Sequence, residues 1–145
     1  MTDKCLTPAG EIRRPDGPEI LFAHRELACR ASGVVKLHPG FADALATLRV
    51  TFARSMIVTS CCRSAAHNAA VGGHPRSLHV YDSPHHGALG TCAIDIARQD
   101  ARYNAVLGEL ALRQGWAVGV SRSFIHLDRR SALGLVPNLF GYGGS

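Results

Sequence analysis

The stretch SLHVYDSPHHGALGTCAID, residues 77 to 95, holds His79, His85, His86, Asp82, Asp95 and Cys92 within nineteen positions. Imidazole nitrogen and carboxylate oxygen are donors that zinc takes readily. A catalytic zinc keeps three protein ligands and leaves a fourth position open for water. Further along, FIHLD (124–128) sets His126 two residues before Asp128, and VTSCCRS (58–64) sets Arg63 just past an apolar run. One ligand from the loop, at 79, 85 or 86, one at Asp95 and one at His126 would satisfy a zinc. Spacing alone leaves blander roles open: a histidine satisfied in the core, an aspartate capping a turn, an arginine on the surface. Only closely spaced ligand motifs are specific.

Those residues need elements to hold them. TCAIDIA (91–97) alternates, so Cys92, Ile94 and Ile96 point one way and Ala93, Asp95 and Ala97 the other. In SFIHLD, Ile125 and Leu127 share a face, while Phe124, His126 and Asp128 share the opposite one. Two strands therefore put polar groups on a face that hydrophobes would otherwise take. MIVTS (56–60) predicts a short buried strand, and WAVGV pairs with SFIHLD around a turn at Ser121 and Arg122. Phe41, Ala44, Leu45, Leu48 and Phe52 recur at helical spacing behind Pro39 and Gly40. A second amphipathic helix is predicted over 101–114, stopped at Gly115, and a short one over 64–70, closed by Gly72 and Gly73. Residues 20 to 30 read as a short helix, SGVVKLHPG as a strand and turn, and 74 to 91 as a long polar loop. Residues 1–19, broken by prolines and glycines, read as an irregular arm, and 131–145 as a loose tail. Helices and short strands without a regular βαβ rhythm predict an α+β domain, a small and largely antiparallel sheet with flanking helices.

The totals bound the function. The 145 residues suffice for one domain with a real core. No apolar run reaches the roughly 18–20 residues that span a bilayer. The N-terminal stretch has acids and prolines where a signal peptide needs a basic and then an apolar region. Synthesis in the cytoplasm is therefore expected, and a monomeric chain. A net charge of +5 suits a polyanionic partner, and cell wall qualifies as well as nucleic acid. No RRM, KH or helix-turn-helix signature appears, so nucleic acid is not expected. The five cysteines form no CxxC, and their odd number argues against a disulfide framework. Small buried hydrophobes are their expected role.

VTSCCRSAAHNAAVGGHPRSLH, followed by AIDIA and FIHLD, resembles the M15 family of zinc D-Ala-D-Ala carboxypeptidases, and within it the small phage-associated branch. The likeness covers roughly residues 20 to 130, with several motifs in the family's order. It implies a hedgehog/DD-peptidase-like fold spanning the chain as a single peptidase domain. It implies zinc on His79, Asp95 and His126, with Ser77 near the substrate. Arg63 would meet the substrate's carbonyl or carboxylate and serve catalysis. The implied reaction is metal-assisted hydrolysis of peptidoglycan stem peptides, as a D,D-carboxypeptidase or an endopeptidase, with action at the cell wall and delivery by a phage holin or tail. The same fold with its metal but without hydrolysis, a wall-binding module, is the competing expectation.

Three departures from the family pattern set questions for the structure. Fifteen residues separate His79 from Asp95 where the family has six, which keeps His85 and His86 in reserve as ligands. Lengthening a surface loop costs little entropy, so the insertion itself is tolerable. Cys61 and Cys62 replace a Gly-Tyr pair, so the substrate wall is expected to differ. No acid precedes the last ligand, and Asp128 becomes either the general base or the group that orients His126.

Overall fold

In the computed structural model the described residues are 3–86 and 88–142. The predicted amphipathic helices form as α2 (Phe41–Phe52) and α4 (Ala101–Arg113). The Asp100 carboxylate caps α4, accepting from the Tyr103 backbone N–H at 2.8 Å. Phe41, Leu45, Leu48 and Phe52 of α2 and Tyr103, Leu107 and Ala111 of α4 are buried, so the two helices meet along their apolar stripes. Trp116 is fully buried and meets Phe41 edge-on at 5.6 Å.

The strands β3 (Val58–Ser60), β4 (Ala93–Ala97), β5 (Ala117–Val120), β6 (Phe124–Asp128) and β7 (Leu139–Gly141) form one sheet in the order β3-β4-β6-β5-β7. All neighbours are antiparallel except β5 and β7, which run parallel. The β4–β6 register sets Ile94 opposite Leu127 and Ile96 opposite Ile125. These four bury one face of the sheet in the core, each worth about 1.5–3 kcal/mol relative to exposure. The same register sets Asp95 opposite His126 on the other face. Among the described residues the result is an α+β fold with a small, largely antiparallel sheet and four helices, the class that the sequence predicts.

Four segments differ from their sequence reading. SGVVKLHPG, read as a strand and turn, forms no strand, only an isolated bridge from Leu37 to Thr91. Residues 20 to 30 are not one helix: β2 (Ile20–Phe22) is followed by the single-turn α1 (His24–Leu27). The arm is not irregular, because β1 (Ile12–Arg13) pairs antiparallel with β2 and both Cys5 and Ile12 are buried. The tail is not loose as far as residue 142: a 3-10 turn at Arg130–Leu133 leads to β7, which adds a fifth strand to the sheet. Glycine and proline hide such short edge strands from pattern reading, since the pairing comes from a distant neighbour. The third predicted helix appears as α3 (Ala65–Ala70), capped by the Ser64 hydroxyl. All five cysteines are free and buried, in keeping with a core role. Cys61 and Cys62 pack inside and are not among the residues that line the cleft.

Candidate metal centre and cleft

The long loop is anchored at both ends beside the sheet. Arg63 N–H donates to the His79 carbonyl at 2.9 Å, and Tyr81 N–H donates to the Arg63 carbonyl at 3.0 Å. The Thr91 hydroxyl also donates to the His79 carbonyl, at 2.7 Å, and Cys92 N–H to the Leu78 carbonyl at 2.8 Å. Residues 79 and 91 are thus neighbours in space. The long loop therefore does not keep His79 from Asp95, whose facing atoms lie 3.1 Å apart.

His79, Asp95 and His126 come together with ligand atoms within 4.8 Å of one another, all three side chains buried. His79 Nδ1 lies 2.7 Å from the Cys61 carbonyl oxygen, which can only accept, so Nδ1 carries the ring proton. The lone pair is then on Nε2. That atom is buried, has no hydrogen-bond partner among the described residues, and faces Asp95 Oδ1 at 3.1 Å. Two acceptors confront each other there, an arrangement that a shared cation completes. Two nitrogens and a carboxylate oxygen are a donor set that suits zinc. The residues present therefore fit the metal.

His126 is held from both sides: Nδ1 lies 2.9 Å from Asp95 Oδ1, and Nε2 lies 2.8 Å from Asp128 Oδ2. Burial works to lower the imidazolium pKa, but the bonds to Asp128 and Asp95 outweigh it and raise it to about 8. Burial likewise works against the Asp95 carboxylate, and the hydrogen bond from His126 holds it well below the usual range. Asp128 is wholly buried and its oxygens are in use. Oδ1 accepts from Arg130 N–H at 2.9 Å and Nε at 3.0 Å, and Oδ2 from Arg130 Nη2 at 2.8 Å as well as from His126. Against the pull of burial, His126 and Arg130 bring its pKa down to about 2. Of the two roles considered for Asp128, general base or support for the His126 ring, this clamped, acceptor-saturated geometry favours the second.

The group lies in a cleft of about 570 Å³. Arg63 and Ser77 line it, whereas the exposed His85 lines two neighbouring pockets, and the His86 side chain lies outside the described residues. Ser77 Oγ accepts from His79 N–H at 3.2 Å and so steadies the ligand loop. A register irregularity between Val58 and Ser60 brings Ser60 opposite Asp95. Its hydroxyl accepts from Arg63 Nε at 3.0 Å. Arg63 Nη1 donates to Asn68 Oδ1 at 3.2 Å, and Nη2 lies 3.7 Å from Asp95 Oδ2. Asn68 is buried, and its amide donates to the His74 carbonyl at 2.9 Å. A Cβ on Gly73 would come within 2.7 Å of Asn68 Cγ, so glycine at 73 lets the chain close over the residue that braces Arg63. Sequence reasoning assigned no role to Asn68, Arg130, Phe140 or Tyr142, all of which build or line the site. Asn68 and Gly73 stood within the quoted motif; Phe140 and Tyr142 carried no local signal.

A buried His-Asp-His group that could hold a metal ion thus stands on the polar face of a small α+β sheet, open to a cleft with an arginine on its wall. The model of the family described as Peptidase M15 matches residues 21–128, and the chain belongs to that family. No curated protein and no solved structure matches the chain. Family membership implies a peptidase acting on a peptide substrate. No helix among the described residues is long and apolar enough to cross a membrane.

Proposed function

We propose that the chain is a zinc-dependent peptidase that hydrolyses peptidoglycan stem peptides at the cell wall, as a D,D-carboxypeptidase or an endopeptidase. The observation that carries the reading is the buried, proton-free His79 Nε2 facing Asp95 Oδ1 at 3.1 Å beside His126. His79, Asp95 and His126 would hold the ion. Zinc bound there supplies Lewis acidity, which polarises a carbonyl and lowers the pKa of water from about 16 towards about 7. The protein's own residues do the rest. The Cys61 carbonyl and Asp128 fix the two imidazole rings, so no reorganisation is needed when the ion arrives. Arg63, braced by Ser60 and Asn68, offers its fork to a carboxylate or carbonyl of the substrate. Ser77 stands on the cleft wall as a further substrate contact. A net charge of +5 favours approach to an anionic wall. Phage or prophage delivery is the route we infer for reaching it.

The second reading, a zinc-holding wall-binding module without hydrolysis, is favoured by one feature. The acids lining the cleft are Asp95 and Asp128, and both are engaged by cationic or ligating partners. Purified protein should contain about one zinc per chain, as a three-ligand site predicts, and should release D-alanine or a cleaved stem fragment from a muropeptide. Zinc with wall binding and no product supports the module; neither zinc nor product overturns both.

A further inference from the structure

Strand β7 and Tyr142 lie beyond residue 128, where the family match ends, yet they line the cleft. Val118, Gly119 and Val120 pair with Leu139, Phe140 and Gly141, and Tyr142 N–H donates to the Val120 carbonyl at 2.9 Å. This pairing carries the aromatic rings across Gly119. A Cβ there would meet Phe140 Cζ and Tyr142 Cε1 at 2.7 Å each, so glycine is required for close approach. Both rings lean on His126, with centroids 6.0 and 6.1 Å away, and Phe124 meets Tyr142 edge-on at 5.2 Å. The Arg130 guanidinium stacks 5.0 Å from the Phe140 centroid.

Packing thus fixes the Tyr142 ring, while its hydroxyl makes no hydrogen bond to the described residues. A phenol carries its proton near neutral pH and can donate it in a hydrogen bond. Arg63 follows β3 and Tyr142 follows β7, the two opposite edges of the sheet, so the cleft has a guanidinium on one side and a phenol on the other.

We propose that Tyr142 is a catalytic residue of the hydrolysis assigned above, donating a hydrogen bond to the carbonyl oxygen of the scissile amide, with Gly119 as the positioning residue for its ring. The inference rests on the peptidase reading. As water adds to the carbonyl carbon, the C=O π pair moves onto oxygen, and a donor aimed there lowers the barrier. When the C–N bond breaks, that pair returns to the carbonyl and the amine leaves carrying a proton from the water. Tyr142 keeps its own proton throughout. Arg63 is then left for the substrate's carboxylate.

The test compares zinc-loaded wild type, Tyr142→Phe, Gly119→Ala and the double variant on one stem peptide, with zinc content and circular dichroism measured for each. Tyr142→Phe preserves the aromatic packing and should lower kcat about 10²-fold while KM stays within about threefold, the pattern of a lost transition-state donor. Gly119→Ala should lower kcat comparably, and the double variant should lose little more, because both changes remove one interaction. Wild-type kcat in Tyr142→Phe overturns the inference, and if Gly119→Ala misfolds the phenylalanine variant decides alone. A zinc-loaded wild type that cleaves no stem peptide overturns the peptidase reading and this inference together; an active wild type with an unaffected Tyr142→Phe overturns this inference alone.

Discussion

At the β3 edge of the sheet Arg63 is bonded to Ser60 and Asn68, and Asn68 in turn to the His74 carbonyl, whereas at the β7 edge Phe140 and Tyr142 are held by ring packing and an exposed three-residue strand. The polar edge is directional: each hydrogen bond specifies where the guanidinium points, and losing one leaves a buried group unsatisfied. The aromatic edge is set by shape, with Gly119 leaving the space. Between them lie β4 and β6, whose facing Asp95 and His126 belong to neither edge. A site built this way sets the candidate ligands at the centre, a hydrogen-bonded guanidinium at one edge and a packed aromatic wall at the other.

The largest effect should come from the centre. Asp95→Ala removes the carboxylate that both histidines face, and bound zinc should drop from about one per chain to near zero by elemental analysis, with peptide cleavage abolished. Retention of zinc would show that the ion sits elsewhere. At the polar edge, Arg63→Ala should cost about 10²–10³ in kcat/KM while zinc content stays at the wild-type level. Parallel loss of zinc would mean that Arg63 supports the metal centre and not the substrate.

Asp128→Asn tests the support beneath the centre. It should weaken zinc by about 10–100-fold in chelator competition, the usual cost of losing the partner of a ligating histidine. A smaller effect follows from protons. Metal-free His126 keeps its proton up to about 8, above its ordinary 6.5, and zinc must displace it. Zinc affinity should therefore fall roughly tenfold per pH unit below about 8 and level off above it. A titration flat between pH 6 and 8 would exclude His126 as the ligand that is protonated in the metal-free protein. Smallest of all, Leu139→Ala on the exposed face of β7 should shift unfolding by less than about 0.5 kcal/mol. Leu127→Ala in the central strand should cost about 2–5 kcal/mol. Similar values for the two would show that β7 is part of the cooperative core.

That Asp95 and His126 each lie on the polar face of a strand was legible in the sequence, because strand alternation is local: Ala-Ile-Asp-Ile-Ala and Phe-Ile-His-Leu-Asp each state which residues share a face, whereas the register that sets the two opposite each other came from the fold. Helices α2 and α4 were legible for the same reason, since apolar spacing repeats within each turn. His79 could be named only through the resemblance to a family, and the choice among His79, His85 and His86 needed the pairing of residues 79 and 91. Whether Asp128 is a base or a support was undecidable from spacing, because the answer lies in how many donors reach its two oxygens, and Arg130 supplies three. The bracing of Arg63 by Asn68, the hairpin in the N-terminal arm and the aromatic wall from β7 came from tertiary structure alone. Periodicity along a chain records which way each side chain faces; contacts between distant segments depend on register and closure, and no local pattern carries them.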